Sequence, residues 1–191
     1  MNPLAHSCDQ TVIDRISALM QTSDSQALAA IDEAIAQWPS DTRLHLLRGA
    51  IFGHLARFDE ARHALSRAVA LDPDFAMARF MLGQLEIQSG HPTDALVVLQ
   101  PLAEHGQDDA IRLFAAGLID LLQNRLSTAA KFLRAGLNAS PAYPALEPYI
   151  HSVLNGIGDA AGKRDSNVSP DLEIDQQANH LLLGDYLRSK H

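Results

Sequence analysis

The 191-residue chain carries a formal net charge of −8 at pH 7, and 47% of its residues are hydrophobic. This composition provides enough apolar material for one packed domain, and it argues against a nucleic-acid binder, because neutralising phosphates requires clustered Lys and Arg. The single cysteine excludes an internal disulfide framework and is typical of a reducing compartment. The N-terminus lacks a basic region followed by an apolar run, and no apolar run is long enough for a bilayer, so we expect a soluble cytoplasmic protein without membrane insertion.

The N-terminal part of the chain predicts helices separated by short turns. Residues 1–7 are expected to form a flexible N-terminus. Ser7 and Gln10 form a capping-box pattern that predicts the start of a first helix. A second helix is expected to end at Pro39, because a proline pushes the preceding residue out of the α region. Asp41 is then a candidate N-cap for the third helix.

The later turns carry glycine and proline signals. Residues 55–57 are predicted to turn the chain within the second hairpin. Gly90 is a candidate helix C-cap, and Pro92 opens the next helix at a position where its missing N–H is harmless. A last helix is predicted at about 145–156, and its apolar side chains would cover the open face of the preceding hairpin.

The C-terminal segment differs in composition from the rest. Residues 158–170 are rich in Gly, Ser, Asn and Asp, which predicts a flexible linker. Residues 171–191 place apolar side chains on one side of a helix, which predicts an amphipathic tail helix. We expect this tail to act either as a ligand for the chain's own groove or as a dimerisation arm that gives a homodimer. The alternative is a tail that is disordered or that only caps the final helix. The predicted tail ligand consists of Leu181, Leu182, Tyr186 and Leu187.

The chain repeats one pattern with a period of about 34 residues. Small residues at fixed places in the period allow two antiparallel helices to approach closely, and a leucine or isoleucine fills the space beside the crossing. One such hairpin cannot bury its own apolar face, so neighbouring hairpins must stack. The alanine at one place is present in all four units, as Ala27, Ala61, Ala95 and Ala129, and a glycine recurs at another place as Gly49, Gly83 and Gly117.

This period and pattern resemble the tetratricopeptide repeat, a helix–turn–helix unit. The resemblance implies an all-α fold, a right-handed solenoid of antiparallel helix hairpins with a C-terminal solvating helix and a separate tail helix. The solenoid covers residues 8–157, with units at about 8–41, 42–75, 76–109 and 110–143 and a final helix at 144–157.

In this family the first helix of each unit lines a concave groove that receives a peptide or helix. The resemblance therefore implies a partner groove, and its apolar residues exclude the subtype that grips an acidic C-terminus with Lys, Asn and Arg. A monomer rarely leaves so many large apolar side chains in water. The alternative is that much of the set packs between neighbouring units. The predicted groove residues are Val12, Ile16, Leu19, Met20, Leu46, Met77, Phe80, Gln84, Ile87, Ile111, Phe114, Leu118, Leu121 and Leu122.

The sequence contains no phosphate-binding glycine loop, no HExxH or GxSxG motif, and no paired-cysteine metal motif. We therefore expect no catalysis, no cofactor and no metal site. The expected function is a non-catalytic adaptor or chaperone-like scaffold that binds an apolar peptide or helix of a partner protein. Two alternatives stay open: a homo-oligomeric assembly subunit, and an accessory regulatory subunit of an enzyme encoded elsewhere. Size, charge and groove character also resemble the tetratricopeptide-repeat chaperones of bacterial secretion systems.

Overall fold

A computed structural model describes residues 7–105, 109–139, 143–144 and 146–162. The predicted tail at 171–191 lies outside these residues, as does most of the predicted linker. The described residues form nine α-helices, which pair as four antiparallel hairpins followed by a single helix. The helices are α1 (Gln10–Met20), α2 (Asp24–Gln37), α3 (Thr42–His54), α4 (Phe58–Leu71), α5 (Ala76–Gln88), α6 (Pro92–His105), α7 (Asp109–Leu122), α8 (Leu126–Leu137) and α9 (Glu147–Gly162).

Side-chain hydrogen bonds cap the N-termini of α2 and α3, and the cap at Asp41 confirms the prediction. The Ser23 hydroxyl accepts a hydrogen bond from the Gln26 N–H at 3.4 Å, and the Asp41 carboxylate accepts one from the Arg43 N–H at 3.0 Å. Each bond satisfies one of the N–H groups that the first turn of a helix leaves without an internal partner. Pro92 is the first residue of α6, as predicted.

The first helix begins at Gln10, and its N-cap is Asp9 rather than Ser7. The reason lies in the preceding residue, which is tied to the next hairpin. The Cys8 N–H donates to Asp41 Oδ2 at 2.6 Å, and the Cys8 carbonyl accepts from the Arg43 guanidinium at 2.6 Å. These bonds hold Cys8 outside the helix, so helical hydrogen bonding starts only after it.

The turns of the second, third and fourth hairpins close in the same way. In each turn one residue adopts the left-handed conformation, and the next N–H donates to a carbonyl five residues earlier at 2.8 Å. This closure satisfies a carbonyl that the helix end would otherwise leave unpaired. It confirms the predicted C-cap at Gly90 and the turn at 55–57. The left-handed residues are Ala56, Gly90 and Asn124, and the bonds join Arg57 to Phe52, His91 to Glu86 and Arg125 to Asp120.

Close helix crossings recur at the predicted glycines. A Cβ atom added at Gly49 would lie 2.6 Å from Leu65 Cγ, which is closer than real Cβ contacts come. The same holds for Gly83 against Leu99 at 2.5 Å. The repeated alanine faces the same crossing and is fully buried in each hairpin. The predicted small/large pattern is therefore the packing of one helix against its partner, and the equivalent pair in the fourth hairpin is Gly117 with Leu133.

The first helices of neighbouring hairpins also contact each other. Helix α3 contacts α5, and α5 contacts α7, whereas no comparable contact joins α2, α4, α6 and α8 to one another within the described chain. The Phe80 and Phe114 rings, 6.3 Å apart between centroids, connect α5 to α7 in the core. The first helices therefore lie on the inner side of the stack.

Helix α9 covers the end of the stack, as predicted for a solvating helix. Its buried side chains include Tyr149, Ile150 and Val153, and it packs against α8. The helix continues to Gly162, so it enters the segment predicted as a linker, where alanines favour helix. None of the helices in the described ranges is long and apolar enough to cross a bilayer.

Candidate functional site

Most of the predicted groove residues are buried in this structure. Contacts within each hairpin and between successive hairpins cover their large side chains, so these do not face an open channel. For these residues the broad apolar groove is corrected to a packed core, which is the alternative reading of the sequence. The buried residues are Ile16, Met20, Leu46, Met77, Phe80, Gln84, Ile111, Phe114 and Leu118.

The other five predicted groove residues, which include Val12 and Leu122, are half-buried. Three of the five occupy the same place in the repeat as Gly53. A Cβ atom added at Gly53 would meet nothing within 4 Å, so the chain leaves open space there. We call this set the inner row, and it consists of Leu19, Gly53, Ile87 and Leu121.

A small cleft lies beside the inner row, between α3 and α5. Its volume of about 20 Å³ accommodates roughly one water molecule. The Gln88 amide nitrogen Nε2 is buried and has no hydrogen-bond partner among the described residues. The lining residues are Gly49, Ala50, Gly53, Leu65, Met81, Gln84, Leu85 and Gln88.

A larger cleft, which sequence reasoning missed, lies between α6, α7 and α8. We call it the lateral cleft. Its volume of about 380 Å³ falls in the range of ligand-binding pockets. Phe132 in its wall is 37% exposed, and Val97, one helical turn from Gln100, is 68% exposed. The lining residues are Leu96, Gln100, Ala103, Glu104, Ala116, Ile119, Asp120, Gln123, Arg125 and Phe132.

The lateral cleft contains a buried carboxylate with one side unpaired. Arg125 donates through Nε to Asp120 Oδ1 at 2.9 Å, and its Nη2 donates to the same oxygen. Among the described residues no hydrogen bond reaches Asp120 Oδ2. A second cation could therefore bind this carboxylate from the cleft.

The preceding hairpin junction has a buried carboxylate at the equivalent position, and both of its oxygens are paired. Arg62 donates through Nε to Glu86 Oε1 at 2.7 Å and through Nη2 to Oε2 at 2.9 Å. The ring nitrogen Nδ1 of His91 lies 3.2 Å from Oε2. In the next unit the place of Arg62 is taken by Leu96, which leaves the space that Arg62 fills here. A comparison of charged positions one repeat period apart is the sequence signal that would have located the lateral cleft.

In the second hairpin, an aromatic ring occupies the place of these two carboxylates. The Arg57 guanidinium carbon lies 4.6 Å from the centroid of the Phe52 ring. A cation facing an aromatic ring is attracted by the ring quadrupole. The same two repeat positions thus form a cation–π pair in one hairpin and hold a buried carboxylate in each of the next two.

Asp41 forms a separate polar cluster that joins the N-terminus to the second hairpin. Burial alone would raise the pKa of Asp41, but hydrogen bonds from the Arg43 side chain and the Cys8 N–H outweigh burial and hold the pKa below its ordinary value. Burial raises the pKa of the Cys8 thiol, which keeps it protonated and poorly nucleophilic. The cluster is therefore a structural tie, and Cys8 is a buried packing residue.

The described residues contain no group of three His, Cys, Asp or Glu side chains that could hold a metal ion. The geometry of the described part thus offers two candidate contact surfaces, the inner row and the lateral cleft. The inner row is mainly apolar, and the lateral cleft is lined half by apolar and half by polar or charged side chains, a mixture that suits contact with another polypeptide.

Solved structures with a similar fold include the following three. One is the MamA segment from residue 41 to its end, from Desulfovibrio magneticus RS-1, with 18% identity and a TM-score of 0.58 over 96% of this chain and 98% of that one. PilW, described as a widely conserved type IV pilus biogenesis factor, has 20% identity and a TM-score of 0.61 over 99% of this chain and 86% of that one. YrrB, described as a tetratricopeptide-repeat protein with an unusual peptide-binding site, has 19% identity and a TM-score of 0.54 over 94% and 86%.

No curated protein matches the chain. A family model described as tetratricopeptide repeat matches residues 54–117. The described hairpins on both sides of this segment keep the same repeat period, with buried alanines at Ala27 and Ala129. The family match shows tetratricopeptide repeats within residues 54–117, and the solved structures show that the chain shares the fold of MamA and PilW.

Proposed function

We propose that the protein is a non-catalytic interaction scaffold, adaptor or chaperone-like, which binds an apolar segment of a partner protein along the inner row. The observation that carries this proposal is the recurrence of one half-buried position on the inner side of successive hairpins. Ile87 and Leu121 present apolar surface there, and Gly53 leaves space for an incoming side chain.

An amphipathic helix suits the spacing of the inner row. Axes of packed helices lie about 10 Å apart, and seven residues of an α-helix rise about 10.5 Å. A partner helix with an apolar residue at every seventh position therefore reaches one row residue after another. Each half-buried side chain that such a helix covers contributes roughly 1 kcal/mol. YrrB, a protein of similar fold, is described as having a peptide-binding site, which supports a peptide as the ligand class.

We extend the proposal to a cytoplasmic location, because the single cysteine, Cys8, is buried and unpaired. Fractionation of cells that produce the full chain, followed by detection in each compartment, tests this part. Recovery in the periplasm or outside the cell would contradict it.

The binding test starts from a display library of 16-residue peptides selected on the full chain. We expect selected peptides to carry apolar residues at helical spacing. Binding is expected to weaken about tenfold or more for Ile87→Glu, because a carboxylate then faces the apolar side of the peptide. Gly53→Trp is expected to block binding as well, since its side chain fills the open space without removing a packing contact.

The matched control is Val97→Glu, which places the same charge on an exposed residue outside the inner row. Helical content by circular dichroism checks that each variant is folded. Selected peptides that bind Ile87→Glu and Gly53→Trp as tightly as the unchanged chain would place the ligand elsewhere. A selection that yields no peptide above background would contradict the proposal itself.

A further inference from the structure

The lateral cleft lacks the cation that crosses the junction one unit earlier, and its buried carboxylate is paired by Arg125 of its own hairpin. At the earlier junction, Arg62 reaches from α4 across the hairpin junction and pairs both oxygens of the buried Glu86. Here Leu96 takes the place of Arg62, and Asp120 Oδ2 receives no hydrogen bond from a described residue. The cleft is therefore shaped for a ligand that brings its own cation and an apolar side chain beside it.

We propose that the C-terminal segment 186–190 of this same chain is that ligand. Its sequence, Tyr-Leu-Arg-Ser-Lys, combines two apolar side chains with two cations and no acid. In this arrangement Arg188 pairs with Asp120 from the cleft side, and Leu187 covers the apolar wall at Leu96 and Phe132. The inference concerns a different face from the inner row and goes beyond the proposed scaffold function.

Charge favours this occupant over most of the chain. The protein carries a net charge of −8, whereas segment 186–190 has two cations and no acid. The charged side chains that line the lateral cleft are Asp120, Glu104 and Arg125, so two acids stand against one cation. A buried carboxylate attracts a cation more strongly than one in open water. The signs of charge on the cleft and on the segment are therefore complementary.

The chain between α9 and segment 186–190 is long enough for this segment to reach the lateral cleft. The described chain ends at Gly162 in α9, which packs against α8, and α8 forms one wall of the lateral cleft. A coil as long as the intervening segment, 163–185, spans roughly 26 Å. Two packed helices measure about 20 Å across, so a segment of this length reaches the cleft. A tethered ligand also acts at an effective concentration of about millimolar, so a weak contact suffices.

Hydrogen exchange on the full chain tests the proposal. We expect amides within 186–190 to exchange about tenfold or more slowly than an unprotected peptide of the same sequence. Leu96→Arg is expected to abolish this protection, because the new guanidinium occupies the site as Arg62 does one unit earlier. Arg188→Glu is expected to abolish it through repulsion by Asp120. The protection is also expected to fall between low and high salt, because its ionic part is screened.

Gln37→Arg is the matched control, since it adds the same charge at an exposed residue of α2, and protection is expected to be unchanged. Phe132→Ser is a second variant that shortens the cleft wall without adding charge, and it is expected to reduce protection severalfold. Circular dichroism verifies folding of each variant. Sedimentation at two protein concentrations separates docking within one chain from exchange between two copies.

Protection that is independent of protein concentration, lost in Leu96→Arg and kept in Gln37→Arg supports the proposal. Unprotected exchange in the unchanged chain, or protection that survives both Leu96→Arg and Phe132→Ser, overturns it. Protection that grows with concentration together with dimer formation assigns the segment to a second copy and also overturns docking within one chain.

Discussion

The junction between the second and third hairpins and the junction between the third and fourth share one backbone design but differ in side chains. In the first, Arg62 from α4 pairs both oxygens of the buried Glu86 on α5. In the second, Leu96 stands where Arg62 stood, and the equivalent carboxylate, Asp120, is held by Arg125 of its own hairpin. The first junction is therefore joined by an ion pair, and the second is left with a cleft.

This difference shows how a repeat protein can acquire a site. The glycine crossings and turn closures, which set the backbone, are alike in both places. Because the backbone is fixed by small residues, a side chain beside it can change without moving a helix. One substitution at the Arg62 position removes a cross-junction contact and leaves a cleft of about 380 Å³.

The largest expected change in the free energy of unfolding comes from glycine substitutions, which test whether the backbone is packed in the same way at the two junctions. Gly83→Ala and Gly117→Ala would place a Cβ atom 2.5 Å and 2.6 Å, respectively, from a buried leucine. We expect each to lower the free energy of unfolding by about 2–3 kcal/mol, because overpacking forces the helices apart. Urea denaturation measures the loss. Gly53→Ala is the control, with open space at the new methyl, and is expected to stabilise by up to about 1 kcal/mol. Unequal losses of unfolding free energy for Gly83→Ala and Gly117→Ala would mean that the helices are packed differently at the two junctions.

The next largest change in the free energy of unfolding is expected when Arg62 or Arg125 is replaced. Arg62→Ala is expected to lower the free energy of unfolding by about 2 kcal/mol, because it leaves the buried Glu86 without its main partner. Arg125→Ala is expected to cost about 1 kcal/mol, because the Arg125 side chain is 53% exposed and water can replace it. Both values come from urea denaturation at the same pH and salt. Equal losses would contradict the difference drawn between the junctions.

The third carboxylate is Asp41, in the polar cluster that joins the N-terminus to the second hairpin. Asp41→Asn is expected to lower the free energy of unfolding by about 1–2 kcal/mol at pH 7, because the charge on Arg43 loses its partner. The folded-state pKa of Asp41 is lower than its unfolded value, so its contribution is present above about pH 4 and is lost as the pH falls through the folded-state pKa. Thermal unfolding between pH 7 and pH 2 is therefore expected to show a shallower acid decline in Asp41→Asn. An unchanged acid decline would rule out this role for Asp41.

The smallest expected change in the free energy of unfolding comes from Leu96→Arg, which gives the second junction the arginine of the first. Leu96→Arg is expected to change the free energy of unfolding by less than about 1 kcal/mol, because the gain from pairing Asp120 offsets the lost apolar contact. A crystal structure of the variant is expected to show the new guanidinium at Asp120 Oδ2. A guanidinium that points into solvent would show that the two junctions are not interchangeable.

The repeat period predicted the hairpins, the crossing glycines and the covering role of α9, because these features follow from small residues, prolines and caps in local sequence. It did not separate groove from core on the first helices. Leu46 and Leu121 both lie on first helices, at different places in the repeat, and only the packing of the folded chain shows that Leu46 is buried and Leu121 half-buried. The lateral cleft was missed for a related reason, since Leu96 is unremarkable until it is compared with Arg62.

The turn closures also bear on how the chain is made. Each of the turns at Ala56, Gly90 and Asn124 is closed by a hydrogen bond between residues only five apart. A hairpin built from such local contacts can form as soon as its own residues have left the ribosome, before the next unit is synthesised. Assembly then proceeds from the N-terminus, with each new hairpin covering the apolar face of the one before. The apolar face of α8 stays uncovered until α9 emerges, so the nascent chain is most prone to aggregation just before its last helix is complete.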